Sequence, residues 1–199
     1  MEHHERASTT LAGRIQERLM MLYGVEAPSI EDFVRPSDDG RERVEVREEH
    51  DALEIAVFLP EEALRDDASV SLDVYCQVAE GVSHFLYLIE RVRRGVPATQ
   101  LELELQAEVD KFVVVTNASR RSPATTLGRI RERLFERIGF LHPEGSELGE
   151  RYRLAHRLAS RFVRRLEPEL HARTDFSLRT LRRFFEAAQR EKIEMALAA

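Results

Sequence analysis

An acid–imidazole pair on an otherwise apolar helix is the strongest chemical signal in this chain. From Leu72 to Val92 most residues are apolar, yet Asp73, Gln77, Glu80, His84 and Arg91 recur at i, i+4, i+7, i+11 and i+18. That spacing places them on one helical face. The next segment carries a second polar row, Glu102, Gln106 and Asp110. An antiparallel helix pair about the turn Gly95–Pro97 brings His84 level with Asp110, Arg91 level with Glu102 or Glu104, and Glu80 near Lys111. Carboxylates and imidazole on facing helices can hold a metal ion or act as an acid–base pair. Glu80, His84 and Asp110 are therefore the candidate catalytic or metal-ligating residues, with His156 as a further metal candidate from a later helix. The di-metal pattern of helix bundles needs Glu-x-x-His on two helices, whereas this chain has Glu-x-x-x-His once. The simpler expectation is a satisfied polar network, and a ligand or partner groove is the third option. No catalytic residue is assigned, and no cofactor is expected.

Other nucleophiles give less. Ser83 beside His84 superficially resembles a nucleophile elbow, but the second glycine is missing. Adjacent helical residues also point about 100° apart, so the two cannot pair as nucleophile and base. Cys76 sits among apolar neighbours and reads as an inert core thiol. Glycine-rich phosphate loops and dinucleotide fingerprints are absent from the sequence. Of the remaining histidines, His3 and His4 fall in the leader, His50 in a turn, and His142 and His171 in connections.

A second constellation lies in the C-terminal third. Arg153, Arg157, Arg161 and Arg165 form one i, i+4 row, and Arg129, Arg133 and Arg137 another. Up to residue 118 the chain has 12 basic residues against 25 acidic ones; beyond it, 18 against 11. Such rows suit an acidic protein partner, or the acidic half of the same chain; successive phosphates of a nucleic acid are the less favoured alternative. No aromatic residues interleave with them as a base-stacking surface requires. Only Lys111 and Lys192 are lysine, which fits a GC-rich coding bias.

The elements that must position these residues follow from periodicity. With 199 residues, one cysteine and no apolar run long enough to span a bilayer, the sequence excludes a disulfide framework and a membrane span. It shows no apolar signal segment at its start. Residues 1–8 read as a disordered leader, and 9–199 as a single mainly helical domain. Helices are expected from Thr9 or Thr10 to Tyr23, Ser71 to Arg94, Thr99 to Thr116, Leu127 to Ile138, Glu147 to Leu166 and Leu178 to Leu197. Thr99 and Glu102 form a capping box. Pro168 is expected to break the fifth helix. Alternating Val44, Val46 and then Leu53, Ile55, Val57, Leu59 predict a β-hairpin over about 43–59, and the stretch 25–43 reads as a connection. The fold class is α+β, predominantly α: five or six helices around a central antiparallel pair, with one β-hairpin on the surface.

The function expected on this basis is that of a cytoplasmic, non-enzymatic interaction or regulatory protein. Its acidic N-terminal half and arginine-rich helical surface would engage a protein partner or a second copy. The alternatives are an enzyme or metal or ligand sensor centred on Glu80, His84 and Asp110, and a nucleic-acid-binding protein.

Overall fold

The computed structural model describes residues 10–49, 52–65, 70–118, 125–137, 139–172 and 174–198. The leader at 1–8 and the hairpin turn at His50–Asp51 lie outside them. The described residues form seven α-helices and a three-stranded sheet. None of these helices is long and apolar enough to cross a membrane.

Helix α1 (Leu11–Tyr23) starts where the Thr10 side chain accepts the Gly13 amide, and it stops at Gly24, which takes φ 69°. Strands β1 (Val34–Pro36), β2 (Arg43–Glu49) and β3 (Ala52–Leu59) follow. The hairpin is β2–β3, with Val44 opposite Val57 and Val46 opposite Ile55. The stretch read as a connection contributes the third strand, β1, parallel to β3. Three residues are too few to show an alternation, so only the tertiary pairing makes β1 a strand.

Helices α2 (Leu72–Arg93) and α3 (Gln100–Ala118) form the central pair. The Ser71 side chain caps α2 by accepting the Val74 amide. The capping box is present: the Glu102 amide donates to Thr99 Oγ1 at 3.2 Å, and the Thr99 amide to Glu102 Oε2 at 2.6 Å. A cap of this kind contributes about 1 kcal/mol. It helps to explain why the alternating Leu101–Leu105 run is helical. The sheet packs against α2, and α3 packs against α5. Val57, Leu59, Val78, Val82, Phe85, Leu105, Val109, Phe112 and Phe162 are fully buried between these layers.

Helices α4 (Thr125–Phe135), α5 (Glu147–Ala172), α6 (Asp175–Glu186) and α7 (Gln189–Leu197) complete the chain. Two expectations are corrected here. Pro168 does not end α5, which continues through it to Ala172. Proline removes one helical N–H, but Pro168 lies on the exposed side of α5 while Leu166, two residues earlier, is buried. The last helix is two helices, because Ala187 and Ala188 are extended. Buried side chains hold the break: Tyr87 donates to the Ala187 carbonyl at 3.3 Å, and Lys192 to that of Phe184 at 2.5 Å.

Candidate functional site

Two of the three cross-pair contacts expected on the seam are present. Arg91 donates to Glu102 at 2.9 Å, and Lys111 to Glu80 at 3.2 Å. The third is different: Asp110 and His84 belong to separate clusters on the two helices.

Asp110 is fully buried and accepts from Ser83 at 2.6 Å, from Gln106 at 3.0 Å and from the Tyr23 hydroxyl. Gln106 also donates to Tyr23 at 3.1 Å and accepts from Lys192 at 2.5 Å. Burial lifts the Asp110 carboxyl to about 6 and lowers the Lys192 ammonium to about 7. The network ties α1 and α7 to the central pair. Tyr23 and Lys192 were not read as polar partners from sequence.

His84 instead lies among carboxylates from three elements. It is 8% exposed. Its Nδ1 stands 3.4 Å from Glu42 Oε1 and its Nε2 3.9 Å from Glu104 Oε2. Donor atoms of Glu80, His84 and Glu104 all fall within 4.8 Å of one another. Glu80 and His84 share a face of α2 at i, i+4, while Glu104 comes from α3. Glu42 comes from the chain just before β2, where its amide donates to Gln77 Oε1 at 3.0 Å; Gln77 is itself steadied by Asp73. Gly81 makes this approach possible. A Cβ there would lie 3.1 Å from Val57 and Leu59 side-chain carbons and 3.2 Å from Glu42 Cγ.

The electrostatics are those of a cluster short of positive charge. Burial alone would lower the His84 imidazole, yet Glu42, Glu104 and Glu80 carry it up to about 9. Burial raises Glu104 to about 7 and also pushes Glu42 up. Two buried atoms of the cluster, His84 Nε2 and Glu42 Oε1, have no hydrogen-bond partner among the described residues, Glu42 Oε1 meeting Nδ1 only at ion-pair distance. A buried polar atom left unsatisfied costs about 1–3 kcal/mol, so the cluster is incomplete as it stands.

His156, the other metal candidate, is fully engaged nearby. Its Nδ1 lies 3.0 Å from Glu108, and its Nε2 3.1 Å from the Phe135 carbonyl. Glu108 would be raised by burial, but Lys111 and His156 hold it down to about 2. Cys76 is half-buried and pushed up to about 11 by burial, which leaves it a poor nucleophile.

The arginine rows divide. Arg153 donates to the carbonyls of His142 and Pro143, and Arg165 to those of Met195 and Ala198. Arg129, Arg133, Arg157 and Arg161 are exposed. Arg157 lines a shallow groove with Leu101, Arg151 and Leu154, apart from the buried clusters.

No protein-family model, curated protein or solved structure matches the chain.

Proposed function

We propose that this chain binds one divalent transition-metal ion through Glu80, the Nε2 of His84 and Glu104, with Glu42 orienting the imidazole through Nδ1. The observation that carries this reading is the unpartnered, buried Nε2 of His84, directed among carboxylates while Nδ1 faces a carboxylate of its own. Metal-bound histidines are held this way: one nitrogen on the ion, the other on an outer carboxylate that fixes the ring. One imidazole and two carboxylates suit Zn²⁺, Mn²⁺ or Fe²⁺. Ligands bind such ions at about 2.0–2.2 Å, so rotation of these side chains closes the set around an ion. The ion would supply the positive charge that the cluster lacks. Asp110 and His156, candidates from the sequence, have no place among these ligands, since their polar atoms are engaged elsewhere.

The test is titration of chelator-treated protein with Zn²⁺ and Mn²⁺, followed by metal analysis of the desalted protein. One ion per chain is expected, lost in His84→Ala and Glu104→Gln and kept in Asp110→Asn. No uptake at micromolar metal, or undiminished uptake in His84→Ala, overturns the reading.

A second reading, docking of an acidic protein partner on the arginine rows, is supported by Arg157 and Arg161. Both are exposed on α5 and make no ion pair among the described residues. Charge reversal at both positions should abolish recovery of such a partner, and unchanged recovery removes this reading.

A further inference from the structure

The sheet ends in an open edge. Its strand order is β1-β3-β2, so among the described residues β2 has a neighbour on one side only. Which backbone groups it leaves free follows from β3. Val57 donates its amide to the Phe33 carbonyl at 3.0 Å, and Leu59 accepts the Ser37 amide at 2.8 Å. The odd-numbered residues of β3 therefore turn their backbone groups toward β1, and Glu54, Ala56 and Phe58 turn theirs toward β2. Their partners are Arg47, Glu45 and Arg43. By the same alternation, Val44, Val46 and Glu48 direct their N–H and C=O groups outward. An edge of this kind is a template for another strand.

We infer that a second copy of the chain fills this edge, with β2 pairing antiparallel to β2 about a two-fold axis at Val46, so that two sheets become one of six strands. The charges of the strand and the length of its overlap together select the partner and the register. About Val46, Glu45 of each copy stands opposite Arg47 of the other, and Arg43 falls opposite Glu49. Moving the axis to Glu45 sets Glu45 against Glu45 and Arg43 against Arg47. Moving it to Arg47 sets Arg47 against Arg47 and Glu45 against Glu49. Both alternatives oppose like charges, which destabilises a sheet, while unlike pairs directly opposite stabilise it. An axis at Val44 or Glu48 restores unlike pairs but overlaps only three residues of each strand, against all seven of Arg43–Glu49 about Val46. The apolar face agrees. Val46 is cross-strand to Ile55 and 44% exposed, at the margin of the face buried under α2. About this axis the two Val46 side chains cover one another. The contact uses the same patch on both copies and closes on itself, as a two-fold dimer requires.

The test is sedimentation equilibrium of the full chain with a chelator present, so that the result does not depend on the metal reading. A dimer that weakens with salt is expected. Glu45→Arg puts arginine opposite Arg47, and Arg47→Glu puts glutamate opposite Glu45, so each variant alone should be monomeric. Mixed in equal amounts they should form a heterodimer, because every 45–47 pair is then unlike. Val46→Pro should also dissociate the dimer with an unchanged circular dichroism spectrum, since the amide it removes points away from β3. A wild-type monomer at 100-fold the concentration used for spectroscopy overturns the proposal. So does a dimer indifferent to these variants, or a mixture that stays monomeric although both variants are folded.

Discussion

Around Asp110, on one part of the α2–α3 pair, the buried polar side chains all have protein partners. Around His84, on another, Nε2 of the imidazole and one oxygen of Glu42 have charged neighbours but no hydrogen bond among the described residues. The two clusters are built from similar material: buried carboxylates, one nitrogen base and elements distant in sequence. They differ in closure. Lys192 donates to Gln106 and so completes the first cluster, whereas the cation near His84, Lys111, is held by Glu80 at 3.2 Å and Glu108 at 2.7 Å. A closed network has structure as its whole product. An open one retains unsatisfied atoms that a ligand can complete.

The comparison breaks most visibly if each cluster is cut once. Asp110→Ala takes the buried acceptor from Tyr23, Ser83 and Gln106 and the nearby opposite charge from Lys192. It should lower the unfolding free energy by about 3–5 kcal/mol, the usual penalty for removing one partner of a buried charged network. The urea midpoint reports it, and a loss under about 1 kcal/mol would show that the network is not closed. Glu42→Gln preserves shape and should cost less stability than Asp110→Ala, forfeiting only the charge that helps to hold the His84 proton, while metal affinity falls 10–100-fold, as for other outer-sphere partners of a ligating histidine. Competition with a chelating dye measures that fall. An equal loss of stability in both variants would erase the distinction.

What the sequence revealed has a physical boundary between these clusters. Arg91–Glu102, Glu80–Lys111 and the Thr99–Glu102 box were legible because they depend on local spacing and one antiparallel turn. The rotation of α3 about its axis was not. The row Glu102, Gln106, Asp110 and the row Glu104, Glu108 lie side by side on that helix, and only packing decides which meets His84. Glu42 was beyond reach for a different reason. It lies in a segment without period and arrives through sheet docking at Gly81. A glycine in mid-helix, at an intrinsic cost of about 1 kcal/mol, was the signal of that approach. A second signal was the lysines. In a chain that otherwise uses arginine, both lysines serve as compact ammonium donors in the interior, Lys192 fully buried and Lys111 mostly so. Attributing their scarcity to coding bias hid what the two positions share.

Gly81→Ala sharpens the comparison with a smaller effect. The added methyl meets Val57, Leu59 and Glu42 at 3.1–3.2 Å. Its crowding, about 1–3 kcal/mol, is partly offset by about 1 kcal/mol of helix propensity. Stability should therefore fall by no more than about 2 kcal/mol, while displacement of Glu42 lowers metal affinity about tenfold. Unchanged affinity would mean that Glu42 does not orient His84.

The finest discrimination comes from pH, because the two clusters pull stability in opposite directions over one interval. His84 has an ordinary pKa of 6.5, raised in the fold to about 9. Between those values the folded chain holds a proton that the unfolded chain has released, so this contribution, complete below 6.5, is lost as pH rises through 9. Lys192 runs the other way. Its pKa falls from 10.5 to about 7 on folding, chiefly by burial. Above 7 the unfolded chain holds the extra proton, and stability rises with pH toward 10.5. Glu104 and Asp110, raised to about 7 and 6, have largely titrated by pH 8. From pH 8 to 9 the metal-free wild type should therefore show a nearly flat urea midpoint. His84→Ala should expose the rising slope and Lys192→Met the falling one, whereas parallel slopes in the two variants would mean that the clusters are not electrostatically distinct.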